Sequence, residues 1–142
     1  MLPDTPDVER VLLGETGVLS VLVPGALVID MSSIDPIATQ GFAGKVAEAG
    51  GRYIDAPVSG GEVGAKAASL AIMIGGAEED VDRARPLFER MGENISRMGE
   101  VGSGQIAKVA NQIIVALNIE AVGEARCSLQ RPARIQQRCD RR

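Results

Sequence analysis

Between Gly99 and Gln112 the chain reads Gly99-Glu100-Val101-Gly102-Ser103-Gly104-Gln105-Ile106-Ala107-Lys108-Val109-Ala110-Asn111-Gln112, in which three glycines precede the cation Lys108 and the amides Asn111 and Gln112. The glycines let the backbone turn tightly, and the apolar-periodic run after them marks a helix that starts at or just beyond the last one. In such a helix Asn111 and Gln112 follow Lys108 by three and four positions and share its face. A lysine there can hold an anionic substrate or exchange a proton with a reacting oxygen, and an amide one turn on can orient that oxygen. The same residues also describe a solvated lysine on an ordinary amphipathic helix, and spacing alone leaves both readings open.

Two further stretches carry polar groups where ligands gather. Asp55-Ala56-Pro57-Val58-Ser59-Gly60-Gly61 ends in a serine and two glycines, whose successive backbone N–H groups have no Cβ in the way and suit a carboxylate or phosphate. A flexible turn is the plainer alternative. Ser32 and Ser33 follow the apolar run 26–31, and in an open α/β sheet ligands collect at the carboxyl ends of strands. Capping the helix before Asp35-Pro36 is the other use for these hydroxyls.

The elements that must position these residues alternate along the chain. A helix is expected over 8–13, closed by Gly14, then a strand over 26–31, a helix over 37–50, a strand from Arg52, another over 70–75, a helix over 78–91 and a short strand over 94–98. The long helix comes last. This is an α/β layout of mainly parallel type. The 142 residues are one domain's worth, and their 45% hydrophobic content includes only two Phe, one Tyr and no Trp, as aliphatic α/β layers require. No apolar run approaches the roughly 20 residues of a membrane helix, and no signal segment opens the chain, so a cytoplasmic protein without membrane contact is expected. Histidine is absent and both cysteines, Cys127 and Cys139, lie near the end, so a Cys/His metal site and a serine-histidine hydrolase are not expected.

Taken together, the rich stretches resemble the signatures of the β-hydroxyacid dehydrogenase family. Asp55 to Gly61, with Gly64-Ala65 beyond, is similar to its substrate-binding signature, and Gly99 to Asn111 to its glycine-rich Lys-x-x-Asn catalytic signature. Leu2-Pro3 and Asp30-Met31-Ser32-Ser33-Ile34-Asp35-Pro36 look like family segments that touch the nicotinamide cofactor. The resemblance covers residues 1–125. It implies that Ser59, Gly60 and Gly61 bind the substrate carboxylate, that Lys108 is the general acid, that Asn111 with Gln112 beside it serves the substrate, and that Leu2, Pro3 and Ser33 line NAD(H) or NADP(H). It implies a small carboxylate substrate, no metal, and a homo-oligomer for the full-length homologue. Within the family, Asn111 to Ala121 is most similar to members that reduce tartronate semialdehyde to glycerate, with members acting on 3-hydroxyisobutyrate as the alternative.

The departures are as informative. Ala68-Ser69-Leu70 stands where the family usually has Gly-Thr-Leu, so a backbone with positive φ there would strain Ala68. The family's Gly-x-Gly-x-x-Gly turn is not in the chain, and the likeness ends after Ala125. The expected organisation is the C-terminal part of a Rossmann-like NAD-binding domain over 1–98, the glycine-rich turn and start of an inter-domain helix over 99–125, and an aberrant basic tail over 126–142. That reading makes the chain truncated at both ends and inactive on its own. The tail holds six Arg and one Asp, whereas residues 1–125 hold 9 basic and 18 acidic side chains. A shifted reading frame from codon 125 would restore helix-compatible Ala and Leu, and the helix is expected to lose definition after Ala125, at the latest by Pro132. A non-catalytic module whose arginine tail contacts nucleic acid or an acidic partner is the reading from another class, and the acidic body speaks against nucleic acid.

Overall fold

The computed structural model describes residues 1–129. They divide into two units, Met1–Val109 and the chain from Ala110 onward. In the first unit, helix α1 (Thr5–Leu13) begins at Asp4, whose carboxylate accepts the Thr5 N–H at 2.7 Å, with Pro6 in the first turn where no N–H is needed. A 3-10 turn over Val18–Val21 leads to β1 (Leu27–Asp30). Helix α2 (Pro36–Glu48) is capped by Asp35, which accepts from Ile37 at 2.6 Å and Ala38 at 3.3 Å. Capping therefore falls to Asp35 and not to Ser32 or Ser33.

Strand β2 (Arg52–Asp55) lies parallel to β1, in register from Leu27 with Arg52 to Asp30 with Asp55. Ala56-Pro57 interrupts the strand, since Pro57 has no N–H for a ladder, and it resumes as β3 (Val58–Ser59). Helix α3 (Gly61–Ala67) follows, and β4 (Leu70–Gly75) returns antiparallel to β2 and β3. Residues 60–69 are fewer than the dozen or more that a parallel crossover takes, so β4 turns back beside β3. Helix α4 (Glu78–Phe88) then crosses over to β5 (Gly92–Gly99), parallel to β4, and α5 (Ser103–Leu129) leaves the sheet. The ladder is mainly parallel, as the alternation of elements predicts. The antiparallel join and helix α3 are what the sequence reading did not contain, because Ser-Gly-Gly reads locally as a turn.

Successive residues of a strand face opposite sides, so β2 serves two cores. Ile54 joins Ile72, Ile74, Val81, Ala84 and Phe88 between the sheet and α4. Tyr53 joins Val8, Leu12, Phe42 and Val46 beneath α1 and α2.

The second unit continues α5, whose described side chains past Asn111 are exposed through Ser128. The helix runs on beyond Ala125 to Leu129, because Arg126, Cys127 and Ser128 contain no breaker and arginine is a good helix former. Pro132 and the rest of the proposed aberrant tail lie outside the described residues. By length and composition α5 is long and apolar enough to cross a membrane. Lys108, Asn111, Gln112 and Asn118 interrupt its apolar residues, which is why the sequence shows no unbroken run of that length.

The start of α5 is fixed by Asp55, a fully buried carboxylate at the end of β2. Its Oδ1 accepts the Gly102 N–H at 2.7 Å and its Oδ2 the Gln105 N–H at 2.9 Å, two of the donors a helix N-terminus leaves free. Two glycines make room for it. A Cβ on Gly75 would stand 2.3 Å from Asp55 Oδ1, and one on Gly104 would stand 2.7 Å from Oδ2 and 2.4 Å from the Met73 carbonyl oxygen. Gly104 is thus needed for close approach inside the helix, while Gly99 and Gly102 take positive φ, 149° and 93°, as the expected turn requires. Burial raises the Asp55 carboxyl above its ordinary value of 3.8, the two N–H donors pull it back, and the Asp30 charge raises it further.

Two outcomes follow. Ala68 ends α3 at φ 54°, the left-handed conformation that the family comparison of residues predicts to be strained. Ala68→Gly should therefore stabilise the fold by about 1 kcal/mol, read as a higher urea midpoint at unchanged m-value. Asp55→Ala orphans two buried N–H groups and should cost about 3 kcal/mol. Because the folded-state pKa of Asp55 is raised, its contribution to stability is fully present below pH 3.8 and declines as pH rises through the raised value. That component of the stability–pH curve should be missing in Asp55→Ala.

Candidate active site

The parallel strands β1 and β2 both end in aspartate, and from these two carboxylates a buried polar chain spreads through the loops where a ligand would gather. Asp30 Oδ2 accepts the Tyr53 phenol at 3.0 Å, and Asp30 Oδ1 accepts the Ser32 N–H at 2.9 Å. Burial first, then the Asp30 charge and hydrogen bond, then the Asp55 charge hold the Tyr53 phenol well above its ordinary range, so it stays a donor. Ser32 Oγ accepts the Leu2 N–H at 2.9 Å, and Thr5 Oγ1 accepts the Asp35 N–H at 3.2 Å. These bonds tie the first residues of the chain to the loop after β1.

The same loop is held from the other side by α5. The Gln105 carboxamide donates through Nε2 to the Ser32 carbonyl at 2.8 Å and accepts the Ile34 N–H on Oε1 at 3.1 Å. Ser32 is buried, Ser33 is exposed between these two anchors, and Leu2 is half-buried with Pro3 exposed beside it. Of the residues expected to line a cofactor, the structure thus brings Leu2 and the Ser32–Ser33 turn together.

Ser59 lies half-buried on β3, in register with Ala71. Gly60 and Gly61 are exposed, with φ 137° and 58°, and they open α3. A pair of glycines in conformations that L side chains rarely adopt leaves consecutive main-chain N–H groups uncovered by any Cβ. Lys108 stands on α5, one turn beyond Gln105 and half-buried, and burial lowers its ammonium below the ordinary 10.5. A lysine moved in that direction gives up its proton more readily. Asn111 and Gln112 belong to the second unit, where the Asn111 amide donates to Gln112 Oε1 at 3.4 Å.

Sequence reasoning missed Asp30, Asp55 and Gln105 as the residues that hold this region. A signal was present for the first two. Each is a carboxylate closing an otherwise apolar strand, a position where charge is costly unless donors from the next element meet it. Gln105 carries no such signal, since an amide among glycine and aliphatic residues is equally at home on a surface.

With the geometry in hand, the comparisons are specific. The sequence profile of the family described as the NAD binding domain of 6-phosphogluconate dehydrogenase matches residues 1–99. The chain is 58% identical over 125 residues to 2-hydroxy-3-oxopropionate reductase of Escherichia coli K12, covering 88% of this chain and 43% of that protein. It is 41% identical over 125 residues to a probable mitochondrial 3-hydroxyisobutyrate dehydrogenase of Dictyostelium discoideum, covering 88% of this chain and 39% of that one. Among solved structures, Mycobacterium tuberculosis 3-hydroxyisobutyrate dehydrogenase with L-serine superposes at a TM-score of 0.80 with 41% identity, over 88% of this chain and 42% of that chain. A second, titled Psf3 in complex with NADP+ and 2-OPP, gives 0.83 with 28% identity, over 96% and 49%. The chain spans less than half the length of these relatives. Its strand-end loops, its glycine-lysine helix and its matched profile agree, and the chain belongs to the β-hydroxyacid dehydrogenase family, of whose Rossmann-like NAD-binding domain it carries a part.

Proposed function

We propose that these residues serve an NAD(P)H-dependent reductase of tartronate semialdehyde, 2-hydroxy-3-oxopropanoate, giving glycerate. The observation that carries this reading is the 58% identity to 2-hydroxy-3-oxopropionate reductase over 125 residues. The residues present fit a nicotinamide cofactor at one border. Leu2, Pro3 and Ser33 would hold it, since the Leu2–Ser32 bond brings these segments to the carboxyl end of β1. When bound, that group supplies the hydride that adds to the carbonyl carbon.

The chain's own residues supply the rest. Ser59 and the N–H groups of Gly60 and Gly61 receive the substrate carboxylate, a fixed set of donors for a fixed charge. Lys108 Nζ gives a proton to the carbonyl oxygen as the new C–H bond forms, becomes neutral, and regains a proton from water. Its lowered pKa narrows the gap to the working pH. Asn111, with Gln112 beside it, orients the same oxygen. A second substrate, the semialdehyde related to 3-hydroxyisobutyrate, has support in the 41% identity to a dehydrogenase of that name. Both substrates present a carboxylate and a β-oxygen to these groups, so the two differ only in the substituent between them.

In the active protein that carries these residues, Lys108→Ala should lower kcat by about two to four orders of magnitude with cofactor affinity nearly unchanged. Ser59→Ala should act mainly on KM for the carboxylate. In the direction of reduction, kcat/KM should fall as pH rises through a pKa below 10.5, because only protonated Lys108 can donate. Steady-state kinetics with tartronate semialdehyde and its 2-methyl counterpart test all of this. Near-normal kcat in Lys108→Ala would sink the proton-donor role, and a higher kcat/KM for the methyl compound would move the substrate assignment.

A further inference from the structure

Gln105 is 1% exposed, and its flat carboxamide bonds the two backbone groups that flank Ser33, the Ser32 carbonyl at 2.8 Å and the Ile34 N–H at 3.1 Å. Its own backbone N–H is held by Asp55 Oδ2 at 2.9 Å, so the residue is fixed to the end of β2 while it grips the loop after β1. Lys108 lies three positions on in the same helix, within the same unit of the fold. The site asks for one donor and one acceptor on a single rigid plane, and an amide offers both without charge at any pH. An aliphatic side chain in its place would leave a buried carbonyl and a buried N–H without these partners.

We infer that Gln105 is a positioning residue that locks the Ser33 turn to the first turns of α5, and so sets the distance between the cofactor-contacting turn and the proton donor. The inference rests on the roles proposed above for Ser33 and Lys108. It goes beyond them in assigning the register of two groups to a third that touches neither substrate nor cofactor. A displacement of about 1 Å at such a site costs on the order of a hundredfold in rate, which is why a bond to the backbone on each side of Ser33 matters.

Amide exchange in the 142-residue chain reads the lock directly. In the unsubstituted chain the Gln105 carboxamide protons should exchange at least tenfold more slowly than those of free glutamine. In Gln105→Ala the protection factor of the Ile34 amide should fall at least tenfold further than that of Ile72 in β4. Gln105→Glu separates the hydrogen-bond pattern from mere packing. Above its pKa the introduced carboxylate can accept from Ile34 but faces the Ser32 carbonyl without a donor; once protonated it regains one, so Ile34 protection should recover as pH falls. Asp55 of β2, which holds the Gln105 N–H, and Asp30 of β1, which holds the Ser32 N–H, are the carboxylates that face this region, and the same pH series on the unsubstituted chain subtracts their effect. In the active protein, Gln105→Ala should raise cofactor KM and lower kcat together, with recovery of both toward acid in Gln105→Glu.

Equal loss of protection at Ile34 and Ile72, no recovery with falling pH, or unprotected carboxamide protons in the unsubstituted chain would each overturn the inference. The last measurement stands even where a variant fails to fold. Unchanged kinetics in Gln105→Ala, with Ile34 exposed, would overturn the coupling alone. Normal kcat in Lys108→Ala would instead remove the functional reading and leave the exchange results untouched.

Discussion

The buried Asp55 carboxylate under the first turn of α5 is the interaction on which the rest of the site depends. Burying a carboxylate is costly, and here the cost shows as a raised pKa even with two N–H donors in place. What the charge provides is direction. The two oxygens bond the N–H groups of Gly102 and Gln105, so the end of a central strand dictates where the helix begins and how it is turned about its axis. A greasy contact would attract α5 to the sheet without choosing a rotation. With the rotation chosen, Gln105 faces the loop after β1 and Lys108 follows one turn later.

Packing makes that choice stiff. Gly75 and Gly104 bring strand and helix backbones to the carboxylate at distances where any Cβ would collide. The β1 loop is then pinned by Leu2, Asp30 and Gln105 together. Each bond is modest by itself. Arranged around one turn of five residues, they leave Ser33 exposed on a backbone that has little freedom to move.

Much of this was legible in the sequence because local rules and tertiary needs agreed. Strand β4 and the capped helices α1 and α2 announce themselves by periodicity, Asp, Pro and Gly, and a comparison of residue types alone marked Ala68 as a residue that a positive φ would strain. The glycine-lysine stretch was recognisable for the same reason, since turn glycines and helix polarity have fixed spacing. Helix α3 was hidden because Ser59-Gly60-Gly61 satisfies a turn locally, and only the short return to β4 makes it a helix start. Asp30, Asp55 and Gln105 were hidden for a deeper reason. Their partners lie far along the chain: the Tyr53 phenol 23 residues from Asp30, the backbone donors of α5 47 and 50 residues from Asp55, and the loop backbone groups 71 and 73 residues from Gln105. A pattern read along the chain sees the carboxylate but not the element that needs it.

The Tyr53–Asp30 bond has a practical side. The chain contains one tyrosine, two phenylalanines and no tryptophan, so its phenol emission arises from a single ring, and the phenylalanines add only weak signals at shorter wavelength. That ring is wedged beneath α1 and α2, with its phenol handed to a carboxylate that also orders the Ser32 turn. A phenol bonded to a proton acceptor emits weakly, and one released into water emits more strongly. The protein therefore carries an optical gauge beside the end of its first strand, dim while the loop after β1 is assembled and brighter once that loop comes apart.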